Sequence, residues 1–141
     1  MDTSSYVGTL FYQIVSTSSD IVSELAEYDD EPAIFQGLAP HDVIEPYMTF
    51  TETSVPEENP MIDRITITID IFDESGSPGL VKRMAANIQK LFDQMRGGLI
   101  LGMWRDYAGM VVEDSPNIQH YSMILTARFL RRDLTELQIE E

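Results

Sequence analysis

Between Arg64 and Ser75 the chain reads RITITIDIFDES, and its apolar and polar positions alternate with period two. Ile65, Ile67, Ile69 and Ile71 point one way and Arg64, Thr66, Thr68 and Asp70 the other, which predicts a strand with one oily face. A second long alternation runs from His120 to Arg132. It sets Tyr121, Met123, Leu125, Ala127 and Phe129 against Ser122, Ile124, Thr126, Arg128 and Leu130, so its second face is only partly polar. Tyr47 to Thr53 alternates too, without deciding which of Tyr47, Thr49, Thr51 or Met48, Phe50, Glu52 faces inwards. The polar segment Val55 to Met61 has the length of a connection between antiparallel strands. Tyr28 to Pro46 reads as loop, with a brief edge strand at Ala33 to Gly37.

Two stretches change the period to that of a helix. In GSPGLVKRMAANIQKLFDQM, Ser77 is a good N-cap, and Pro78 falls at the first helical position, where its missing N–H costs nothing. Leu80, Val81, Met84, Ala85, Ile88, Leu91, Phe92 and Met95 form a broad apolar stripe, expected to cover the isoleucine face, and Gly97 and Gly98 stop the helix. Near the N-terminus, Tyr6, Val7, Leu10, Phe11 and Ile14 recur at helical spacing. The run Ser16 to Ser19 interrupts, and Ile21, Val22 and Leu25 resume, which predicts a kink and a short second helix capped by Ser18 or Ser19. Asp20 and Glu24 lie near its start, where the helix dipole favours them. After the long helix, Leu99 to Trp104 is a short apolar run, Arg105 to Gly109 reads as a turn, and Met110 to Asp114 reads as a short strand.

The order of elements argues for α+β: an antiparallel or mixed β-sheet packed by an N-terminal helix and a long central helix. At 141 residues a single domain over 1–141 is expected, with a C-terminal tail from about 133 (DLTELQIEE) that is flexible or forms an interface. One layer of helices cannot cover both faces of the sheet. Either the N-terminal helix takes the second face or a neighbouring subunit does, and Thr66 and Thr68 are available for assembly.

Charge then narrows the partners. Nine Lys and Arg against 24 Asp and Glu give a formal net charge of -15. Nucleic-acid binding needs phosphates neutralised by basic side chains, and an anionic membrane repels such a surface, so neither is an expected partner. There is no cysteine, which excludes disulfides and thiolate chemistry. The start MDTSSYVG lacks the basic and apolar regions of a signal peptide, so cytoplasmic synthesis is expected.

Candidate chemistry is sparse. No serine sits in a GxSxG elbow, and the glycines form neither GxGxxG nor GxxxxGK. His41 and His120 have no spacing for a triad or shared ligation, and a hydrogen-bonded structural or surface role is expected for each. Asp70, Asp73 and Glu74 do not match a calcium loop. No catalytic residue, metal or cofactor is expected, and the chain is not read as an enzyme. The basic residues fall in two groups: Arg128, Arg131 and Arg132 at the end of the last strand, and Lys82, Arg83 and Lys90 along the long helix. They either meet the acidic patch Glu24, Glu27, Asp29, Asp30 and Glu31 of a neighbouring copy, or pair within the chain or stand exposed to solvent. Trp104, the single tryptophan, is either core or an interface anchor.

The order YVGTLFYQIV, PYMTFTETS, DRITITIDIFDES, LVKRMAANIQKLFDQM and HYSMILTARFLRR resembles the tail completion, or tail terminator, proteins of tailed bacteriophages, from about Tyr6 to Leu134. The resemblance implies a small α+β structural protein without catalytic residues. It implies a homo-oligomeric, hexameric ring at the head-proximal end of the tail tube, which stops tube polymerisation and offers the surface for head–tail joining. The tail tube protein and head–tail connector proteins are its implied partners, in the virion. The loop carrying Glu57 and Glu58 matches a hairpin connection placed to touch tube or connector. Two features depart from the family: AIFQGLAPHDVIE is a less compact strand region, and GGLILGMWRDYAG is longer and oilier than a connection. Another connector or neck adaptor of the same junction is the alternative. Genomic DNA would pass through the ring without specific binding, repelled by an acidic lumen.

Overall fold

The isoleucine alternation forms one long strand, Ile62–Asp73, in which Ile65, Ile67, Ile69 and Ile71 are fully buried while Thr66, Thr68 and Asp70 stay half-buried on the reverse side. This is a computed structural model, and it describes residues 3–57, 59–74, 77–93, 95, 100–115 and 117–130. In chain order the elements are α1 (Thr3–Ser16), α2 (Ser19–Val22), β1 (Glu27–Tyr28), β2 (Glu31–Pro32), β3 (Ile34–Gln36), β4 (Tyr47–Pro56), β5 (Ile62–Asp73), α3 (Gly79–Asp93), β6 (Ile100–Val111) and β7 (Gln119–Leu130). Strands β3, β4, β5, β7 and β6 lie side by side in that order, and β1 and β2 form a separate two-residue hairpin. Only β3 runs parallel to its neighbour; the other pairings are antiparallel, so the sheet is mixed and the fold is α+β as expected.

Register resolves the inner face of β4. Met48 pairs with Ile71 and Phe50 with Ile69, and cross-strand partners share a face, so Met48 and Phe50 are core. Met123, Leu125, Ala127 and Phe129 of β7 extend that floor. Val81, Met84, Ala85, Ile88 and Phe92 of α3 roof it, joined by Val7, Phe11 and Val15 of α1 and by Ile21 and Leu25. Phe11 lies 4.7 Å from Phe50 and 5.5 Å from Phe92, centroid to centroid. That contact puts α1 on the same side of the sheet as α3. Of the two arrangements open to the sequence, α1 therefore does not take the second face, and no described helix lies on it.

Several local readings change. The hydroxyl run after α1 closes that helix rather than capping the next. Thr17 Oγ1 donates to the carbonyls of Gln13 at 2.7 Å and Ile14 at 3.2 Å, while Ser18, at the N-cap of α2, makes no side-chain cap bond. Helix α3 starts at Gly79, one residue beyond Pro78, with Ser77 Oγ accepting from the Gly79 N–H at 3.5 Å. The expected stop at Gly97 and Gly98, the side chain of Tyr6 and the tail from about 133 lie outside the described residues.

The largest correction is β6. The expected apolar run, turn and short strand are one strand of 12 residues, Ile100–Val111. Its pairing with β7 shifts register between Ile100 and Gly102 and again between Arg105 and Tyr107, so Leu101 and Asp106 are bulge residues. Each bulge reverses the alternation, which is why the sequence reads as broken pieces.

Removing the Phe11 ring takes away the wedge between β4 and α3. Phe11→Ala should lower the unfolding free energy by about 3–5 kcal/mol, read from urea denaturation. Thr51→Ala, on the exposed side of β4, should change it by no more than about 0.5 kcal/mol.

Candidate functional site

With both helices on the isoleucine side, the reverse of the sheet is the surface left for other work. Its centre is a belt of small β-branched side chains. Thr53, Thr66 and Thr126 line up across β4, β5 and β7, and Thr51, Thr68 and Ile124 form the next row. The row continues onto the border strand, where Trp104 pairs with Thr126 and Tyr107 with Ile124. Trp104 is 38% exposed, so it belongs to this face and not to the core. It is held there by Asp106, the second bulge residue. The indole Nε1–H donates to Asp106 Oδ1 at 3.0 Å, and the hydroxyl of buried Thr126 donates to the other carboxylate oxygen. The bulge thus fixes the Trp104 ring beside the threonine belt. Leu101, Tyr107, Met110 and Val112 are also exposed, which gives this edge of the sheet an apolar border.

One end of the face is charged. Arg64 and Arg128 are direct cross-strand neighbours, an arrangement that repels. Glu57, beyond the end of β4, sits between them, with its Oε1 2.9 Å from Arg64 Nη2 and 3.2 Å from Arg128 Nε. Glu57 is therefore a clamp that closes the β4–β5 connection over β7. Glu58, Arg131 and Arg132 lie outside the described residues. Arg83 is likewise paired within the chain, 2.7 Å from Glu24.

The other end is aromatic. Tyr28, Phe35, Tyr47, Phe72 and His120 form a continuous row, with Phe72 stacked on Tyr47 at 4.9 Å and on His120 at 4.2 Å. His120 Nε2 is 2.7 Å from Asp70 Oδ1 and its Nδ1 is 2.5 Å from Glu113 Oε1. Both ring nitrogens are engaged by carboxylates, so the ring ties β5 to the segment after β6 and keeps no nitrogen for a nucleophile. The loop after β3 hangs over this end and encloses a groove of about 570 Å³ against Tyr47, Thr49, Asp70 and His120. Leu38 and Ile44 of that loop point into solvent. Burial, with Glu45 and Glu113 nearby, raises the Tyr47 phenol above its ordinary value. Burial first, then Glu74 and Asp73, raises the Glu45 carboxyl. Among the described residues there is no metal-holding group of carboxylates and histidines, and no helix long and apolar enough to cross a membrane.

The structure thus gathers Thr66, Thr68, Trp104 and Arg128 on one face, with Glu57 at its charged end. Sequence reasoning missed Asp106 and the His120 row. Both depend on register: the alternation puts His120 on the same face as Ser122, but nothing in it sets His120 opposite Phe72 or places a carboxylate against each ring nitrogen.

No known protein family's sequence profile matches the chain, and no curated protein does. Among solved structures it is similar to a chain in the virion of a native gene transfer agent particle, at 12% identity and a TM-score of 0.67, over 85% of this chain and 91% of that one. The likeness is one of fold.

Two outcomes test the ends of the face. Glu57→Gln should cost about 1 kcal/mol by leaving Arg64 against Arg128, and the deficit should shrink at high salt, measured by chemical denaturation. Glu45 binds its proton more readily folded than unfolded. That preference stabilises the fold below the ordinary carboxylate range and is lost as pH rises through the folded value. Glu45→Gln should therefore melt higher than the parent protein at pH 7 and show no such gain near about pH 4, by thermal denaturation.

Proposed function

We propose that this chain is a structural virion protein that assembles with copies of itself into a ring at the head-proximal end of a phage tail tube. The observation that carries the reading is the fold held in common, over most of both chains, with a chain of the gene transfer agent virion particle. The order of motifs that resembles tail terminators supports the finer role, in which the ring, of six copies in that family, ends tube polymerisation and receives the head connector. The sheet's one-sided cover fits this work. A half-buried belt of threonines with a pinned tryptophan at its border is a surface that tolerates water before assembly and excludes it afterwards.

The function needs no bond-making step from the protein. Its chemistry is the matching of surfaces: tube subunits on one side, connector proteins on the other, and duplex DNA passing between. A net charge of -15 disfavours phosphate contacts, so the duplex slides through the lumen without specific binding.

Electron microscopy of the purified chain mixed with unfinished tails and with tailless heads tests the reading. Rings seated on the ends of tail tubes are the expected result. Chains that never attach to a tube end would overturn it, and rings found only on the head side would favour a connector or neck adaptor.

A further inference from the structure

The described cations divide into two sets. Arg64, Arg83 and Arg128 are consumed by ion pairs within the chain. Lys82, Lys90 and Arg105 make no ion pair with any described residue, and all three line one groove of about 300 Å³ between α3 and β6. Lys82, Ala86 and Lys90 follow one another at intervals of one helical turn along α3, so the alanine leaves the groove open between two ammonium groups. Asp93, at one end, is hydrogen-bonded to Gln89 at 2.5 Å. Asp20 borders a neighbouring hollow with Lys90 but makes no ion pair with it. In a chain of net charge -15, a groove with one carboxylate and three cations that pair with no described residue is an exception.

The opposite edge of the sheet carries the complement. The β1–β2 hairpin precedes the border strand β3, and its base is anchored to the start of β4: the Ala26 N–H donates to the Pro46 carbonyl and the Met48 N–H to the Ala33 carbonyl, each at 2.9 Å. Its two-residue turn, Asp29 and Asp30, has φ of 51° and 66°, the left-handed conformation that a tight hairpin demands and that aspartate tolerates. Glu27, Asp29, Asp30 and Glu31 are exposed, and none is ion-paired with a described residue. The hairpin is held rigidly: Tyr28 donates to Asp42 at 3.0 Å and meets the Phe35 ring edge-on at 5.5 Å.

We propose that the α3–β6 groove receives the acidic β1–β2 hairpin of a second copy of this chain. The proposal rests on the ring reading above and names its contact. Groove and hairpin stand at opposite borders of one five-stranded sheet, β6 and β3, so a single chain cannot join them to each other. Copies joined in this way meet through unlike surfaces, head to tail, the kind of contact from which a ring is built when the rotation between copies closes. Charge complementarity at such a rim sets orientation and association rate, and excludes a hairpin-to-hairpin encounter by repulsion.

The test is sedimentation velocity on three proteins: the parent chain, Lys82→Glu/Lys90→Glu, and Glu27→Lys/Glu31→Lys. All four positions carry exposed side chains, and circular dichroism with a thermal melt checks that each variant folds. The parent should associate, and each variant alone should associate at least about tenfold more weakly. An equimolar mixture of the two variants should recover assembly, because each mixed contact again sets unlike charges together. Lys82→Gln/Lys90→Gln should fall between the parent and the reversed groove. Variants that assemble like the parent, or a mixture no better than its components, would overturn the contact and leave the ring reading standing. A parent chain that stays single at every concentration and on tube ends would overturn both. A groove that instead retains a short oligonucleotide, lost in the Lys82→Glu/Lys90→Glu variant, would replace the hairpin with a nucleic acid as its occupant.

Discussion

Phe11 touches one ring in the sheet and one in the long helix, and much of the molecule's shape follows from that pair of contacts. A helix that meets Phe50 and Phe92 at once has to lie on the isoleucine side of β5, beside α3. Burial of the isoleucine, methionine and phenylalanine side chains there is the dominant favourable term available to a chain of this size. The other side of the same strands is then left with threonines, a tryptophan and a paired set of ions. This surface is polar enough to meet water and apolar enough to be covered.

What the sequence reveals depends on whether local spacing decides the matter. The β5 strand and the core of α3 are legible because period two and period 3.6 run through them without interruption. The Thr66 and Thr68 face is legible for the same reason. β6 is not, because the bulges at Leu101 and Asp106 reverse its alternation twice, and a reader counting positions sees a turn where the chain is extended. Local spacing leaves open which side α1 takes, since its stripe of Val7, Leu10, Phe11 and Ile14 would serve either face, and the contacts of Phe11 with Phe50 and Phe92 decide. The fate of single charges is equally hidden. Arg128 pairs with a carboxylate 71 residues away and Arg83 with one 59 residues away, and nothing in local spacing records such partners.

The distribution of charge is less uniform than the total suggests. Carboxylates are used structurally: Glu57 between opposed arginines, Asp106 between an indole and a hydroxyl, and Asp70 and Glu113 on the two nitrogens of one imidazole. In each case the acid joins neighbouring strands or locks a strand to the segment beyond it. Other acids, among them Asp29, Asp30 and Glu74, stand on turns and loops.

Both borders of the sheet bear on how such a molecule avoids runaway growth. An uninterrupted outer strand of a dozen residues would be a template onto which further chains add backbone to backbone, as in fibrils. Here the outermost strand at one margin, β3, has three residues, Ile34–Gln36, and the one at the other is dislocated twice along its length. Successive amides on the long margin fall out of step, so a newcomer finds no continuous ladder to extend. A neighbouring protein that docks at either border must therefore meet it through side chains, and not by lengthening the sheet.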